Sequence, residues 1–188
     1  MMAGIAISGL SGCGTTTATN RICGLLGIPR WNFTLRDLAA EMGLTLAQLK
    51  QKALSDETID LEIDRRQLFF ISKAERFVIG SRLAVWLDDP RIAKKVGYEN
   101  GKPRIGLKIW LSAPFKVRCR RVFEREGGNL EEVTDFVRRR DLENAERYRK
   151  IYGIDANAPP AGAVVVDTEG NDAARVSEII MSLAKGKL

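Results

Sequence analysis

The residues with the clearest chemical meaning lie near the start of the chain, between Gly9 and Thr17. Gly9, Gly14 and Thr16 match the spacing of the phosphate-binding motif G-x-x-x-x-G-K-[ST], but Thr15 stands at the lysine position. Backbone N–H groups converge in such a loop, and the dipole of the helix that follows favours negative charge. The sequence therefore predicts a cradle for a phosphate group that lacks the point charge of a lysine.

The same residues have a plainer interpretation, because glycine-rich turns between a strand and a helix are common. The flanking segments favour the phosphate interpretation. Residues 5–8 form a short apolar run bounded by glycines, which is typical of a buried parallel strand. A segment with helical spacing follows the loop, with Ala18, Ile22 and Leu25 on one face. Strand, glycine-rich loop and helix occur in the order that phosphate binding requires.

Length and composition indicate one globular domain. The chain has 188 residues, of which 45% are hydrophobic, and this suffices for a sizeable core. No apolar run approaches the roughly 20 residues of a membrane helix, and the N-terminus reads as a strand. We therefore expect no leader and no membrane span, and a cytoplasmic location.

Cysteines and histidines restrict the chemistry further. The three cysteines, Cys13, Cys23 and Cys119, have no metal-binding spacing and predict small buried or semi-buried thiols in a reducing cytoplasm. The absence of histidine excludes histidine acid–base catalysis and a histidine-ligated metal. Chemistry here depends on arginines, carboxylates, hydroxyls, backbone amides and a cofactor metal.

The net charge of +6 comes from 30 basic residues, most of them arginines, whose planar groups bind phosphates bidentately. This balance allows either nucleotide phosphates or RNA as the ligand. A nucleic-acid binder more often presents one continuous basic stripe. Here the arginines follow several separate predicted strands, which makes a nucleic-acid partner the less favoured interpretation.

The order of elements predicts an α/β fold with a parallel sheet in three layers and right-handed crossovers. Strands are predicted at residues 5–8, 76–80, 105–111 and 164–168. Helices are predicted after the loop and at about 34–42, 45–54, from 55 or 56 onward, 114–127, 129–152 and 173–183, with a helix or turn at 83–87 and a loop with a hairpin at 88–103. The three helices between the first two strands form an inserted, lid-like subdomain.

In such a sheet, ligands collect beyond the carboxyl ends of the strands. The loop follows the first strand, Arg82 follows the second, arginine-rich helices follow the third, and Asp167 and Thr168 end the fourth. Arginines from distant parts of the chain would therefore surround one cleft. This pattern fits phosphoryl transfer between two nucleotides, where catalysis is positioning plus charge stabilisation and needs no base with a tuned pKa.

Five groups of residues carry a more specific signal, and no one of them is specific alone. They are residues 7–17, 59–67, 81–86, 108–114 with 125–127, and 140–155. Together they resemble the archaeal type of cytidylate kinase, within the nucleoside-monophosphate kinases, over nearly the whole chain. In that branch the loop often reads Gly-Thr-Thr-Thr, so the resemblance makes Thr15 a family trait.

The resemblance implies a three-layer P-loop NTPase fold with helical insertions, in one kinase domain over residues 1–188. The insertion that binds the nucleoside monophosphate spans about 32–75, and the lid region spans about 120–150. The implied reaction moves the γ-phosphate of ATP onto CMP or dCMP with Mg²⁺. The implied partners are these small nucleotides, and the implied state is a monomer or a weak homo-oligomer.

The resemblance also implies a role for each site residue. The cofactor-binding residues are Gly9, Leu10, Ser11, Gly12, Cys13, Gly14, Thr15, Thr16, Thr17 and Arg121. In this set the amides of residues 10–15 hold the donor phosphates, the Thr16 hydroxyl ligates Mg²⁺, and Arg121 lies against the adenine. The catalytic arginines are Arg36 and Arg82 on the acceptor phosphate, Arg125 on the donor phosphates, and Arg140 and Arg147 on the transferring phosphoryl group.

Asp60 and Asp64 are implied to help read the acceptor base or ribose. The alternative is that both carboxylates simply pair with nearby arginines. Arg138 and Arg139 are expected to be solvated helix charges. The tryptophans are expected to pack in the core or at its rim.

Two positions depart from the family pattern. A Ser-Ala-Gly-Asp-like segment is replaced by residues 30–33, and the usual acidic residue two positions before Arg82 is Gly80. These departures leave two alternatives open. One is a kinase of another acceptor, such as AMP, UMP or a small molecule. The other is a catalytically weakened P-loop protein that binds RNA or a partner through its basic helices.

Overall fold

A four-stranded parallel sheet forms the centre of the chain, for which a computed structural model describes residues 4–29, 33–98 and 103–186. The strands are β1 (Gly4–Gly9), β2 (Val78–Gly80), β3 (Ile105–Ser112) and β4 (Val164–Asp167). Their spatial order is β2-β1-β3-β4, and every pairing is parallel. Because β1 lies inside the sheet, the loop that follows it opens at the middle of the carboxyl edge.

Helices connect and cover these strands. They are α1 (Thr15–Leu26), α2 (Leu35–Glu41), α3 (Leu46–Ala53), α4 (Thr58–Lys73), α5 (Pro90–Lys95), α6 (Phe115–Glu126), α7 (Leu130–Tyr152) and α8 (Ala173–Ala184), with a 3-10 turn at Ala84–Trp86. The predicted α/β fold with a parallel sheet is confirmed.

Apolar clusters cover both faces of the sheet. Ile5 and Ile7 pack with α1 and α8 on one face, whereas Ala6 packs with residues of α4, α5 and α7 on the other. All six residues of β1 are buried. A strand covered on both faces reads as a continuous apolar run, which is why this strand is visible in the sequence.

The inserted helices have a small core of their own. Residues of α2, α3 and the first half of α4 form a separate apolar cluster, which includes Leu38, Leu49 and Ile63. Farther along α4, Leu68 and Ile71 belong to the main core. Helix α4 therefore joins the insertion to the sheet. The substrate-binding role predicted for this insertion stays a prediction.

The segment predicted as an irregular loop contains a helix. Helix α5 begins at Pro90, and the Asp89 side chain accepts a hydrogen bond from the Arg91 amide at 2.9 Å. Aspartate at the N-cap followed by proline at the first position is a helix start signal, and the loop prediction overlooked it. Ile92 anchors the helix in the main core. The hairpin predicted farther on falls partly on residues 99–102, which lie outside the described residues. Residues 30–32, which belong to the segment that replaces the family's Ser-Ala-Gly-Asp-like segment, also lie outside them.

Two smaller expectations can be compared with the structure. All three cysteines are buried thiols, as predicted. Within the described residues, no helix is both long enough and apolar enough to cross a membrane.

Gly80 and Thr19 occupy one space between β2 and α1. A Cβ built on Gly80 would lie 1.9 Å from Thr19 Oγ1 and 2.9 Å from Thr19 Cβ. Thr19 is buried, and its hydroxyl donates to the Thr15 carbonyl at 2.8 Å. The threonine side chain therefore fills the place that a larger residue at position 80 would need.

We predict that Gly80→Ala lowers the free energy of unfolding by about 1–3 kcal/mol, because the new methyl group overpacks the site. In a Thr19→Ala background the hydroxyl and methyl groups of residue 19 are absent and only its Cβ remains close, so the same change should cost less. Urea denaturation of the four chains measures this coupling. Gly24→Ala is the control, because nothing lies within 4 Å of a Cβ there. Strictly additive losses of unfolding free energy in the double variant would contradict the steric coupling of Gly80 and Thr19.

Candidate active site

One cavity of about 690 Å³ opens at the carboxyl ends of β1 and β2. The loop after β1 forms its floor, and α4, α6 and α7 contribute its walls. The predicted site residues that line it are Gly9, Leu10, Ser11, Gly12, Cys13, Gly14, Thr15, Thr16, Thr17, Asp60, Asp64, Arg82, Arg121, Arg125, Arg140 and Arg147. Residues separated by more than a hundred positions thus share one cleft.

Arg36 is the predicted site residue that does not line the cavity. It lies on α2, where its side chain is exposed, although Thr34 and Leu35 just before it are lining residues. In the described residues Arg36 makes no ion pair that would hold it away from the cleft. Its predicted role on the acceptor phosphate stays a prediction.

Glycines place the backbone of the loop. Gly12 and Gly14 have φ values of 85° and 91°, which side-chain-bearing residues rarely adopt. A Cβ at Gly12 would also lie 2.5 Å from the Arg118 carbonyl oxygen, and one at Gly9 would lie 2.7 Å from the Leu111 carbonyl oxygen. The loop backbone therefore sits directly against β3 and α6.

Helix α1 starts at this loop with an open N-terminus. Its N-cap is Gly14, and in the described part of the chain no side chain caps its first turn. The first N–H groups of a helix have no partner within the helix, so they are available to an anion in the cavity. The loop and the start of α1 thus have the backbone conformation on which the predicted phosphate cradle depends, and phosphate binding there stays a prediction.

Two threonines stand where the motif has lysine and its hydroxyl neighbour. Thr15 Oγ1 is buried and has no hydrogen-bond partner among the described residues. Thr16 is exposed and lines the cavity beside the open amides. In the described residues no cluster of three acidic or cysteine side chains could hold a metal ion. The Thr16 hydroxyl and nucleotide phosphate oxygens fit a Mg²⁺ ion, which commonly keeps several waters and few protein ligands.

Asp141 and Arg118 form a buried network that the sequence did not reveal. The Asp141 carboxylate accepts hydrogen bonds from Arg82 at 2.8 Å, from Arg118 at 2.6 Å and from the Ser11 amide at 3.2 Å. Arg118 also donates to the Ser11 carbonyl at 2.9 Å, and Arg82 donates to the Ser11 hydroxyl at 3.1 Å. Both arginine side chains are nearly buried.

The electrostatics of this network favour the ionised carboxylate. Burial raises the pKa of Asp141, but the hydrogen bond and charge of Arg82, together with Arg118 and the Ser11 amide, outweigh it and lower the pKa below the ordinary value. The only sequence signals were indirect. Arg118 lies four residues before the buried Val122, on the inward face of α6, and Asp141 follows Arg140 in one resemblance segment.

The other predicted arginines differ in how they are held. Arg121 donates to the hydroxyl and carbonyl of Thr168, beyond β4. Arg125 is exposed and pairs with Glu126 at 2.6 Å. Both arginines line the cavity.

Arg140 is the least neutralised of these arginines. In the described parts of the chain it forms no salt bridge, although its guanidinium lies 5.9 Å from the centre of the Phe136 ring. Desolvation lowers the pKa of Arg140, and the charges of Arg82 and Arg125 lower it further. Its positive charge is therefore available to an anion in the cavity.

The two aspartates on α4 have different partners. Asp60 pairs with Arg147 at 3.3 Å, as the alternative interpretation expected. Asp64 has no arginine partner in the described residues and accepts a hydrogen bond from the Tyr152 hydroxyl at 2.6 Å. Tyr152 stacks with Tyr148, with ring centroids 6.2 Å apart. Tyr152 was not predicted for the site, because its helical spacing reads as core.

Burial dominates the protonation of this pair. It raises the pKa of Asp60 despite the opposing charge of Arg147. It raises the pKa of Asp64 to about 7, where the hydrogen bond from Tyr152 opposes the shift and the charge of Asp60 adds to it. Burial and the neighbouring carboxylates also raise the pKa values of Tyr148 and Tyr152, so both hydroxyls stay protonated.

Gln67 is a further polar residue of the cavity that the sequence did not reveal. It is buried on α4, its side-chain amide donates to the Phe33 carbonyl at 2.9 Å, and it accepts from the Ser81 hydroxyl at 3.3 Å. It therefore connects the insertion to the segment that carries Arg82.

The parallel sheet, the glycine-rich loop after its first strand and the arginines around one cavity define a P-loop kinase. A crystal structure of shikimate kinase from Bacteroides thetaiotaomicron has this fold, with a TM-score of 0.56 over 98% of both chains and 16% identity. A model of the cytidylate kinase-like family matches residues 102–169.

Two relatives extend the match to most of the chain. The cytidylate kinase of Thermococcus sibiricus is 36% identical over 168 residues, which are 87% of this chain and 78% of the relative. The cytidylate kinase of Methanothermobacter thermautotrophicus is 33% identical over 171 residues, or 90% and 97% of the two chains. The chain belongs to the cytidylate kinase family, and the resemblance read from the sequence is confirmed.

The raised pKa of Asp64 predicts a pH-dependent stability. Between the unfolded value of 3.8 and about 7, the folded protein holds a proton that the unfolded chain has released. The free energy of unfolding should therefore fall as pH rises through this window, by up to about 1.4 kcal/mol per pH unit relative to Asp64→Asn. Urea denaturation from pH 4 to 8 measures the difference. Asp135→Asn, at an exposed aspartate, should parallel the parent chain, and parallel curves for Asp64→Asn would refute the assignment.

Proposed function

We propose that this protein transfers the γ-phosphoryl group of ATP to CMP or dCMP, giving ADP and CDP or dCDP. The observation that carries the proposal is the cavity of about 690 Å³ in this member of the cytidylate kinase family. In that cavity the glycine-rich loop faces polar residues of the inserted helical subdomain. Arginines from three separate segments, the end of β2, α6 and α7, also line this cavity. This arrangement suits two phosphate-bearing substrates that meet in the middle.

The donor nucleotide binds at the loop. The amides of residues 10–15 and the N-terminus of α1 hold its phosphates. Thr15 stands at the position of the P-loop lysine, so no lysine contributes charge there. Arg125 supplies charge at this end. Arg121 is fixed by Thr168 and offers the flat face of its guanidinium to the adenine. When bound, Mg²⁺ on Thr16 would neutralise charge on the phosphates.

The acceptor nucleotide binds between the loop and α4. Arg82 lies at the carboxyl end of β2 and binds the acceptor phosphate. Asp60, Asp64 and Gln67 surround a pocket with carboxyl and amide groups, which can pair with the amino group and ring nitrogen of a cytosine. A carboxyl whose pKa is about 7 can accept or donate a hydrogen bond at neutral pH.

Arg140 and Arg147 stabilise the transferring phosphoryl group. They lie about two turns apart on one face of α7, and both line the cavity. Negative charge spreads over the phosphoryl oxygens in the transition state, and fixed guanidinium groups stabilise it without a general base. Enclosure by the helices around the cleft excludes water as a competing acceptor.

The RNA-binding alternative is not favoured. Within the described residues, Arg138 and Arg139 face solvent and lie near acidic neighbours on α7, so they form no uncompensated basic stripe. Other acceptors are treated as outcomes of the assay below. The cytoplasmic location and the monomeric or weakly oligomeric state stay predictions.

The direct test is an assay of the purified protein with ATP and Mg²⁺ and a panel of CMP, dCMP, UMP, AMP and GMP. We expect diphosphate product from CMP or dCMP at a kcat/KM well above that of the purines. Product from AMP alone would replace the proposed acceptor. No product from any of these nucleotides would remove the proposed activity.

Arg140 offers a clean test of the arginine mechanism. We predict that Arg140→Ala lowers kcat by about 10²–10³-fold, because it removes charge that faces the transition state. Stability should change little, since Arg140 makes no salt bridge within the described residues. Arg139→Ala is the matched control, because this neighbouring arginine is exposed and its nearest carboxylate oxygen, on Glu143, is 3.9 Å away. Equal kcat values for the two variants would take Arg140 out of the mechanism.

A further inference from the structure

The Asp141 carboxylate lies where a substrate phosphate is expected to bind. It accepts a hydrogen bond from the Ser11 amide, and Ser11 belongs to the loop that forms the phosphate cradle. It also holds Arg82, the arginine assigned to the acceptor phosphate. Two of the donors proposed to bind substrate phosphates are therefore engaged by an anion of the protein itself.

Asp141 is fixed in this position by contacts that no substrate would take. Arg118, whose side chain is 6% exposed, pairs with its second carboxylate oxygen at 2.6 Å. The Asn157 side chain donates to the Asp141 backbone carbonyl at 2.9 Å and approaches Arg82 at 3.4 Å. One oxygen thus has a permanent partner, while the other bridges Ser11 and Arg82.

This division of contacts has a chemical consequence. A phosphate oxygen and a carboxylate oxygen compete for the same N–H donors, because both are anionic acceptors of similar hydrogen-bond length. A phosphate that enters the loop brings more negative charge than the carboxylate it meets. It can take the Ser11 amide without unpairing Asp141, because Arg118 remains as its partner.

We propose that Asp141 is a positioning residue that stands in for substrate phosphate, holding the Ser11 amide and Arg82 in place until phosphate displaces it from them. The proposal rests on the proposed function, since it requires the loop to bind phosphate. The carboxylate keeps the donors oriented and prevents two nearly buried arginines from repelling each other. The same contacts oppose phosphate binding, because phosphate must displace the carboxylate. The carboxylate therefore orients the Ser11 amide and Arg82 in advance but lowers the affinity of the loop for phosphate.

The test compares the binding of inorganic pyrophosphate, followed by calorimetry, in the parent chain and in Asp141→Asn. Asparagine keeps the shape of the side chain but removes its charge. We expect a loss of stability together with pyrophosphate binding about tenfold tighter, since no charge-assisted hydrogen bond must be broken. A residue that only supports the structure would give unchanged or weaker binding.

A second variant separates competition from simple charge. Glu126→Gln also removes one negative charge near the cavity arginines, but Glu126 pairs with Arg125 and none of its described contacts is with Ser11 or Arg82. Its effect on pyrophosphate binding should be clearly smaller. Equal tightening in both variants would overturn the proposal. Asp141→Glu, which keeps the charge, should restore the stability and move affinity back toward the parent value.

A third measurement needs no variant and applies even if Asp141→Asn fails to fold. In NMR spectra of the parent protein, pyrophosphate should shift the Ser11 amide together with those of Thr15 and Thr16, and leave the Arg118 guanidinium in place. Shifts at Thr15 and Thr16 with Ser11 unmoved would overturn the proposal and leave the proposed kinase function intact. A chain that binds no pyrophosphate at all would count against both.

Discussion

The site depends on how closely one loop approaches the backbone of its neighbours. At Gly9 the loop lies against the Leu111 carbonyl of β3, and at Gly12 it lies against the Arg118 carbonyl of α6. A side chain at either position would push the loop away from the sheet. The close approach fixes the loop beside the cavity, and it also brings Ser11 within reach of Arg118 and Asp141. The position of the loop and the arginine network are therefore consequences of the same backbone contact.

The charges around the cavity are arranged so that each arginine is balanced to a different extent. Arg82 and Arg118 share one buried carboxylate, and Arg147 pairs with Asp60 at 3.3 Å. Arg140 has no salt-bridge partner among the described residues. Neutralising every arginine would remove the attraction for phosphate, and leaving all of them unpaired would destabilise the fold through repulsion and desolvation. The graded pairing keeps positive charge where the phosphates are proposed to meet. A histidine-free chain can hold such a site, since no step requires a group that titrates by design.

Much of this architecture was readable from the sequence, and the exceptions have physical reasons. Strand β1 is buried on both faces, so its apolar run was visible, and the glycines at 9, 12 and 14 indicated the cradle. Helix α5 was missed because its start signal, Asp89 followed by Pro90, resembles a turn. Arg118 and Asp141 were missed because an arginine on a basic helix reads as solvated charge, and only the tertiary fold shows that it is buried. The environment of Asp64 could not be predicted from the local sequence either, because its hydrogen-bond partner Tyr152 lies 88 residues farther along the chain.

The close packing of Thr19 against Gly80 limits which residues can occupy these two positions together. An acidic residue at position 80, which the family resemblance led us to expect, would require the space that the Thr19 side chain fills in this chain. The two positions are therefore coupled, because the side chain at position 19 limits the size of the residue that fits at position 80. A larger residue at position 80 therefore fits better once residue 19 has become smaller, because otherwise both side chains would occupy one volume. The residue at position 80, beside the cavity, is thus constrained by packing against α1, the helix that follows the loop.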